Sequence, residues 1–159
     1  MKRVLISLLF LLVNSNVSYS AETRFSGDPL PRFASIAREK ADARFGPSVK
    51  YPIKYTYKSK FQPVKVVNEY YGWYQIQDRY GDLSWVYKTA LSKKNYAITI
   101  HNNIKLYARP KLTAEILAKV NKDVLFFVDE CDNGFCRVET NFNNQHFKGF
   151  IIQDNLWGV

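Results

Sequence analysis

Two cysteines, two histidines and seven glycines among 159 residues leave little material for several common chemistries. A zinc site needs about four nitrogen or sulfur ligands gathered together, and Cys131 and Cys136 have no second pair near them. No glycine-rich phosphate loop is present. His101 and His146 are the only histidines, and neither has an obvious nucleophile partner. The chain is therefore expected to be no enzyme and to need no cofactor and no metal. Long apolar runs are also missing: Val4 to Val13 falls short of the roughly 20 residues that cross a bilayer. No cysteine precedes Cys131, so nothing near the N-terminus can carry a lipid.

What the N-terminus does contain is an export signal. Lys2 and Arg3 start it, the apolar run follows, and Ser18-Tyr19-Ser20 supplies small residues before a cleavage expected ahead of Ala21. The expectation is an exported protein, periplasmic or else secreted, with no transmembrane anchor after cleavage. Cleavage removes two of the 23 basic residues and none of the 14 acidic ones, leaving a charge of +7. A basic protein outside the cytoplasm meets wall carboxylates, headgroups and anionic polymers rather than nucleic acid.

Strand patterning dominates the remainder. Pro63-Val64-Lys65-Val66-Val67, Trp73-Tyr74-Gln75-Ile76 and Leu83-Ser84-Trp85-Val86-Tyr87 are β-branched and aromatic runs separated by glycine and aspartate turns, the pattern of a small antiparallel barrel. Val64 and Val66 face inward together, as do Tyr74 and Ile76, leaving Trp73, Gln75 and Gln77 outward. For the third run, either Leu83, Trp85 and Tyr87 or Ser84 and Val86 face the core, since a one-residue slip exchanges the two sets. Ahead of these, Tyr51, Ile53, Tyr55 and Tyr57 alternate with Pro52, Lys54, Thr56 and Lys58; Pro52 has no N–H to donate, which puts this segment at an edge or in a long loop.

The pattern recurs. Val124 to Val128 answers Val64 to Asn68, Phe135 to Val138 answers Trp73 to Ile76, Gly149 to Ile152 answers Ser84 to Tyr87, and Arg109 answers Arg44. The expected organisation is a signal peptide at 1–20, an extended arm at 21–32, a first unit at 33–92, a linker at 93–96 and a second unit at 97–159. Units of this size bury modest cores, so the two are expected to pack against each other, with the apolar end Leu156 to Val159 tucked back onto the fold.

Several motifs, in order, resemble the bacterial SH3-like domains of exported proteins, and more narrowly a tandem family seen mostly in proteobacterial exported proteins. They are Asp42-Ala43-Arg44-Phe45-Gly46-Pro47-Ser48, Pro63-Val64-Lys65-Val66, Trp73 to Ile76, Gly81 to Val86, and the closing Leu156-Trp157-Gly158-Val159. The resemblance covers roughly Pro31 to Val159. It implies an all-β chain of two tandem SH3-like barrels, with Val86 inward and Trp85 at least partly outside. It also implies cell-envelope or cell-wall binding. Ser84 stands where such domains usually place a second glycine, and the turn at Arg109-Pro110 lacks the Gly-Pro-Ser of the first unit.

Asp132-Asn133-Gly134-Phe135 between the cysteines is a hairpin signal, and residues flanking such a turn come close enough for a Cys131–Cys136 disulfide. In an exported chain with two cysteines, that bond is the favoured reading. For binding, Trp73, Trp85, Tyr55 and Tyr57 are the candidate stacking surfaces and Lys54 and Lys58 the candidate anion contacts. The expected partner is a cell-wall glycopeptide such as peptidoglycan, or an anionic wall component related to it. The alternative is another envelope protein, such as a wall hydrolase, for which the chain would be an adaptor.

Overall fold

The structure, a computed structural model, describes residues 28–159. The expected leader, and the arm as far as Gly27, lie outside the described residues. Arg32, expected at the end of the arm, is instead the first residue of a strand.

The first unit consists of β1 (Arg32–Ile36), β2 (Ala41–Arg44), β3 (Ile53–Tyr57), β4 (Pro63–Tyr70), β5 (Trp73–Gln77), β6 (Leu83–Tyr87) and β7 (Leu91–Ser92), with one 3-10 turn at Lys88–Ala90. The second consists of β8 (Tyr96–Thr99), β9 (Ile104–Tyr107), β10 (Ile116–Val120), β11 (Leu125–Asp132), β12 (Phe135–Phe142), β13 (Gln145–Ile152) and β14 (Leu156–Trp157), with a 3-10 turn at Gln153–Asn155. The sheets run β3-β2-β6-β5-β4-β1-β7 and β10-β9-β13-β12-β11-β8-β14. Each strand of the second unit thus takes the place of the strand seven earlier. The chain is all-β and built of two SH3-like barrels in tandem. β3, which begins beside Pro52, is an edge strand.

Period-2 alternation sets the two cores. Val64, Val66, Ile76 and Val86 are fully buried in the first, and Tyr74 joins them. Of the two alternatives for β6, the buried set is Ser84 and Val86; Leu83 and Tyr87 are exposed and Trp85 half-buried. In the second core Phe126, Val128, Val138 and Ile151 occupy the corresponding places. Burying a side chain of this kind contributes roughly 2 kcal/mol.

The strand register corrects two of the repeat matches. Val66 pairs with Ile76 and Val128 pairs with Val138, with a bulge following each, so Val128 answers Val66 and Phe126 answers Val64. Arg44 pairs with Trp85 where Tyr107 pairs with Phe150, so Tyr107, not Arg109, answers Arg44. Both sequence matches were two residues out of step. A shift of two preserves strand alternation, and alternation alone cannot detect it.

The units pack on each other, and the C-terminus takes part. Trp157 meets Phe33 edge to face at 5.3 Å, Phe61 stacks on Tyr96 at 4.4 Å, and the Ser35 hydroxyl donates to the Lys94 carbonyl at 2.9 Å. An ion pair between Arg79 and Asp123 joins a turn of each unit.

Candidate functional site

The outer face of the first barrel carries a groove with a volume of about 920 Å³. Its floor comes from strand pairing. Trp73 on β5 and Tyr87 on β6 are direct partners, and their rings meet edge to face at 5.4 Å. Trp73 does point outward, but Tyr87 and its neighbours cover it until it is 9 % exposed. Tyr87, 44 % exposed, presents the open ring surface.

Loops supply the walls and the charge. Arg38 and Lys40 stand in the turn between β1 and β2, and Lys58 follows the last residue of β3. The Arg38 Nε donates to the Thr89 carbonyl at 3.1 Å, which anchors the guanidinium at the rim. On the other side, Arg44 Nη1 donates to the Tyr51 carbonyl at 2.8 Å and to the Val49 carbonyl at 3.3 Å, organising the Gly46-Pro47-Ser48 turn. Asp42, the acidic side chain lining the groove, accepts from the Thr56 hydroxyl at 2.8 Å and lies 4.0 Å from Arg44. With Asp42 so engaged, Arg38, Lys40 and Lys58 leave the groove cationic over an aromatic floor. Guanidinium and ammonium groups at such a rim bind carboxylates and phosphates, and a flat ring binds sugar faces or peptide side chains.

Of the residues anticipated for binding, Trp73 and Lys58 come together here. Trp85 shares the outer face but stands two residues along β6 from Tyr87, opposite Arg44, and does not line the groove. Tyr55 and Tyr57 are turned into the barrel. Their rings meet at 5.3 Å, the Tyr55 hydroxyl lies 3.0 Å from the Ser84 hydroxyl and 3.3 Å from that of Tyr57, and Tyr57 is 6 % exposed. Burial pushes the Tyr57 hydroxyl far above its ordinary pKa, and the hydrogen bond with Tyr55 adds to this. A ring so enclosed offers no face to a ligand. Lys54 is held by the Asp82 carboxylate at 2.5 Å and donates to the Leu83 carbonyl at 3.0 Å, so it acts as a strut between β3 and β6.

Arg38, Lys40 and Tyr87 were missed as site residues. In the sequence Arg38-Glu39-Lys40 reads as a charged turn. The signal that would have found them is their contrast with the second unit. Arg38 and Lys40 stand three and one residues before β2, and the same places before β9 hold His101 and Asn103. Lys58 follows β3 where Asn121 follows β10.

The cysteines form the expected disulfide. Cys131 and Cys136 are direct partners across the β11–β12 hairpin with an S–S distance of 2.02 Å. Asn133 and Gly134 make the turn with φ of 49° and 78°, values that favour the Asn-Gly pair over branched residues. Among the described residues no group of His, Cys, Asp and Glu could hold a metal ion, and no helix is long and apolar enough to cross a membrane.

Two small β-barrels, the first with a cationic, aromatic-floored groove, define a tandem β-barrel module built on a binding fold. The chain belongs to the bacterial SH3 domain family, whose model matches residues 37–93 and again 101–158. Domains of this family are typically non-catalytic binding modules associated with the cell envelope. Among solved structures the chain is similar to NlpC1 of Trichomonas vaginalis, with 17% identity, a TM-score of 0.36, and coverage of 82% of this chain and 47% of that one. It is also similar to NlpC2 of the same organism, with 16% identity, a TM-score of 0.35, and coverage of 80% and 48%. The chain thus spans about half the length of those proteins. No curated protein matches it.

Proposed function

We propose that this protein is an exported, periplasmic, non-catalytic module that binds the cell wall through the first barrel, with peptidoglycan or a related anionic wall polymer as ligand. The observation that carries the reading is the groove at Trp73 and Tyr87, where Arg38 and Lys40 from one loop and Lys58 from another converge on an aromatic floor. The lactyl-linked peptides of a wall polymer end in carboxylates, which suit the cationic rim. Its sugar rings suit the Tyr87 face.

The test is co-sedimentation of the chain from Ala21 onward with purified peptidoglycan at low and moderate salt. The chain should pellet at both. Tyr87→Ala and the pair Arg38→Ala/Lys58→Ala should each lower pelleted protein by about tenfold in affinity, the loss of a stacking ring or of two anion contacts. Phe135→Ala, at the place in the second barrel that Trp73 holds in the first, should leave pelleting unchanged. Absence of pelleting at any salt would sink the reading.

A second reading is favoured by a separate feature. Phe45, Val49, Tyr51 and Ile53 are all exposed on and beside the β2–β3 connection. Apolar side chains grouped on one loop suit a protein partner, which would make the chain an adaptor for another envelope protein. Such a chain would pellet only when that partner is present.

A further inference from the structure

A second cavity, of about 720 Å³, lies at the junction of the two units and has a different character from the groove. Its wall is a row across three adjacent strands. Tyr96 on β8 pairs with Phe127 on β11, and Phe127 pairs with Glu139 on β12. The rings of Tyr96 and Phe127 meet at 5.4 Å, and Phe61 of the first unit stacks on Tyr96 and extends the aromatic surface.

Opposite charges mark the two ends, and Asp129, which also lines the cavity, is taken up by Arg137 at 3.3 Å. At one end the Glu139 carboxylate is 3.6 Å from His146 Nε2 and 3.8 Å from Lys148 Nζ, both longer than a hydrogen bond. It is thus loosely held and open to a closer cation. At the other end, two residues before Tyr96, is Lys94. Its neighbour Lys93 is engaged by Asp28 at 2.9 Å, whereas Lys94 is exposed and has no carboxylate partner among the described residues. Strands lie about 4.8 Å apart, so Tyr96 and Glu139 are about 10 Å apart across the row, and Lys94 lies two residues beyond Tyr96 along the chain. Tyr96 feels the same arrangement: burial and then the Glu139 charge push its hydroxyl pKa up, keeping the phenol protonated beside the carboxylate.

We propose that this junction cavity is a binding site for a dipolar ligand, one with an ammonium group and a carboxylate at opposite ends of an aliphatic stem. The ammonium meets Glu139, the stem lies along Phe127 and Tyr96, and the carboxylate meets Lys94. Amino acids and peptides bearing an ω-amino group have this chemistry. The cavity draws on Phe61 of the first unit, on the linker and on three strands of the second, so it exists only when the units are docked. It does not depend on the wall-binding reading.

The test is titration of the isotopically labelled chain, from Ala21 onward, with 6-aminohexanoate, followed by amide shifts. Hexanoate and hexylamine serve as the half-ligand controls. Saturable shifts centred on Tyr96, Phe127 and Glu139 at millimolar concentration are expected, with each half-ligand weaker by about tenfold. Glu139→Gln and Lys94→Gln should each weaken 6-aminohexanoate by about tenfold while leaving the remaining spectrum in place. Tyr87→Ala should have no effect here, which separates this site from the groove. Absence of shifts, shifts centred on the first-unit groove, or hexylamine binding as tightly as 6-aminohexanoate would each overturn the proposal.

Discussion

In the first barrel Tyr57 pairs with Ala41 and Tyr55 with Ala43; in the second, Val120 pairs with Ile104 and Ala118 with Leu106. The large residue has moved from the edge strand to its neighbour, and the total bulk across the pair is roughly kept. The third member of the set moves with it. Ser84 stands beside Tyr55 and bonds its hydroxyl, whereas the corresponding Gly149 sits against Leu106, leaving no room for a side chain. One topology therefore supports two self-consistent fillings, each a set of three coupled residues. The filling has a consequence on the surface. The second barrel keeps a space of about 270 Å³ between Leu106, Val120, Phe126 and the hairpin residues Phe142 and Phe147. In the first barrel, tyrosine rings take the corresponding core positions.

The two fillings differ most at the glycine. A Cβ at Gly149 would lie 2.7 Å from the Tyr107 carbonyl oxygen and 2.9 Å from Leu106 Cγ, so Gly149→Ala should destabilise the chain by about 3 kcal/mol, read by chemical denaturation. Ser84→Ala, at the same place in the first unit, loses a hydrogen bond and should cost about 1 kcal/mol. Equal costs at the two places would refute the idea of distinct fillings.

Next in size is a transplant. Ala43→Leu alone should cost about 2 kcal/mol by overpacking against Tyr55, and Tyr55→Ala alone about the same by leaving a cavity. Combined with Ser84→Gly, the two should recover to within about 1 kcal/mol of the original, because neighbouring substitutions are not additive. Simple additivity in the triple variant would show that the three residues do not act as a set.

Replacing Cys131 and Cys136 with serine removes a link that the first unit does not have; Glu69 and Tyr74 hold the corresponding places there. A loop this short gives about 2 kcal/mol by the chain-entropy estimate. Hydrogen exchange should quicken in the β11–β12 hairpin and stay unchanged in β4 and β5. Uniform quickening would mean that the two units unfold as one.

The smallest effect concerns the link between the units. A hydrogen bond from Arg79 holds the Asp123 carboxyl below its ordinary range. A depressed folded pKa contributes stability above the unfolded value, near 3.9, and loses it as pH falls through the folded value. Asp123→Asn should therefore lower stability slightly at neutral pH and leave it unchanged at the acid end, which flattens the acid limb of the stability curve. A large loss at neutral pH would show that the pair matters more to docking than an exposed ion pair should.

Much of this was legible in the residues. The inward sets Val64/Val66 and Tyr74/Ile76 followed from alternation and the disulfide from Asn133-Gly134 between two cysteines, while Pro52 left an edge strand or a long loop, of which β3 is the edge strand. The candidate site was less legible. Trp73 was placed on the outer face, but facing outward is not the same as being exposed, and Tyr87 covers it. Tyr55 and Tyr57 share a face in the sequence with Tyr51 and Ile53, yet burial rises steadily along β3 from one end to the other. Alternation assigns a side; it carries no information on how far along a strand the neighbouring sheet reaches.

The all-β class, the duplication, the family and the covalent link were all readable from the residues, because each depends on local spacing that the chain carries wherever it goes. Tertiary structure decided which aromatic residues are covered, which two-residue register relates the repeats, and which loops bring Arg38, Lys40 and Lys58 to one groove. Those outcomes depend on volume and charge matched across residues that are far apart in the chain, and they come into being only when the strands are paired.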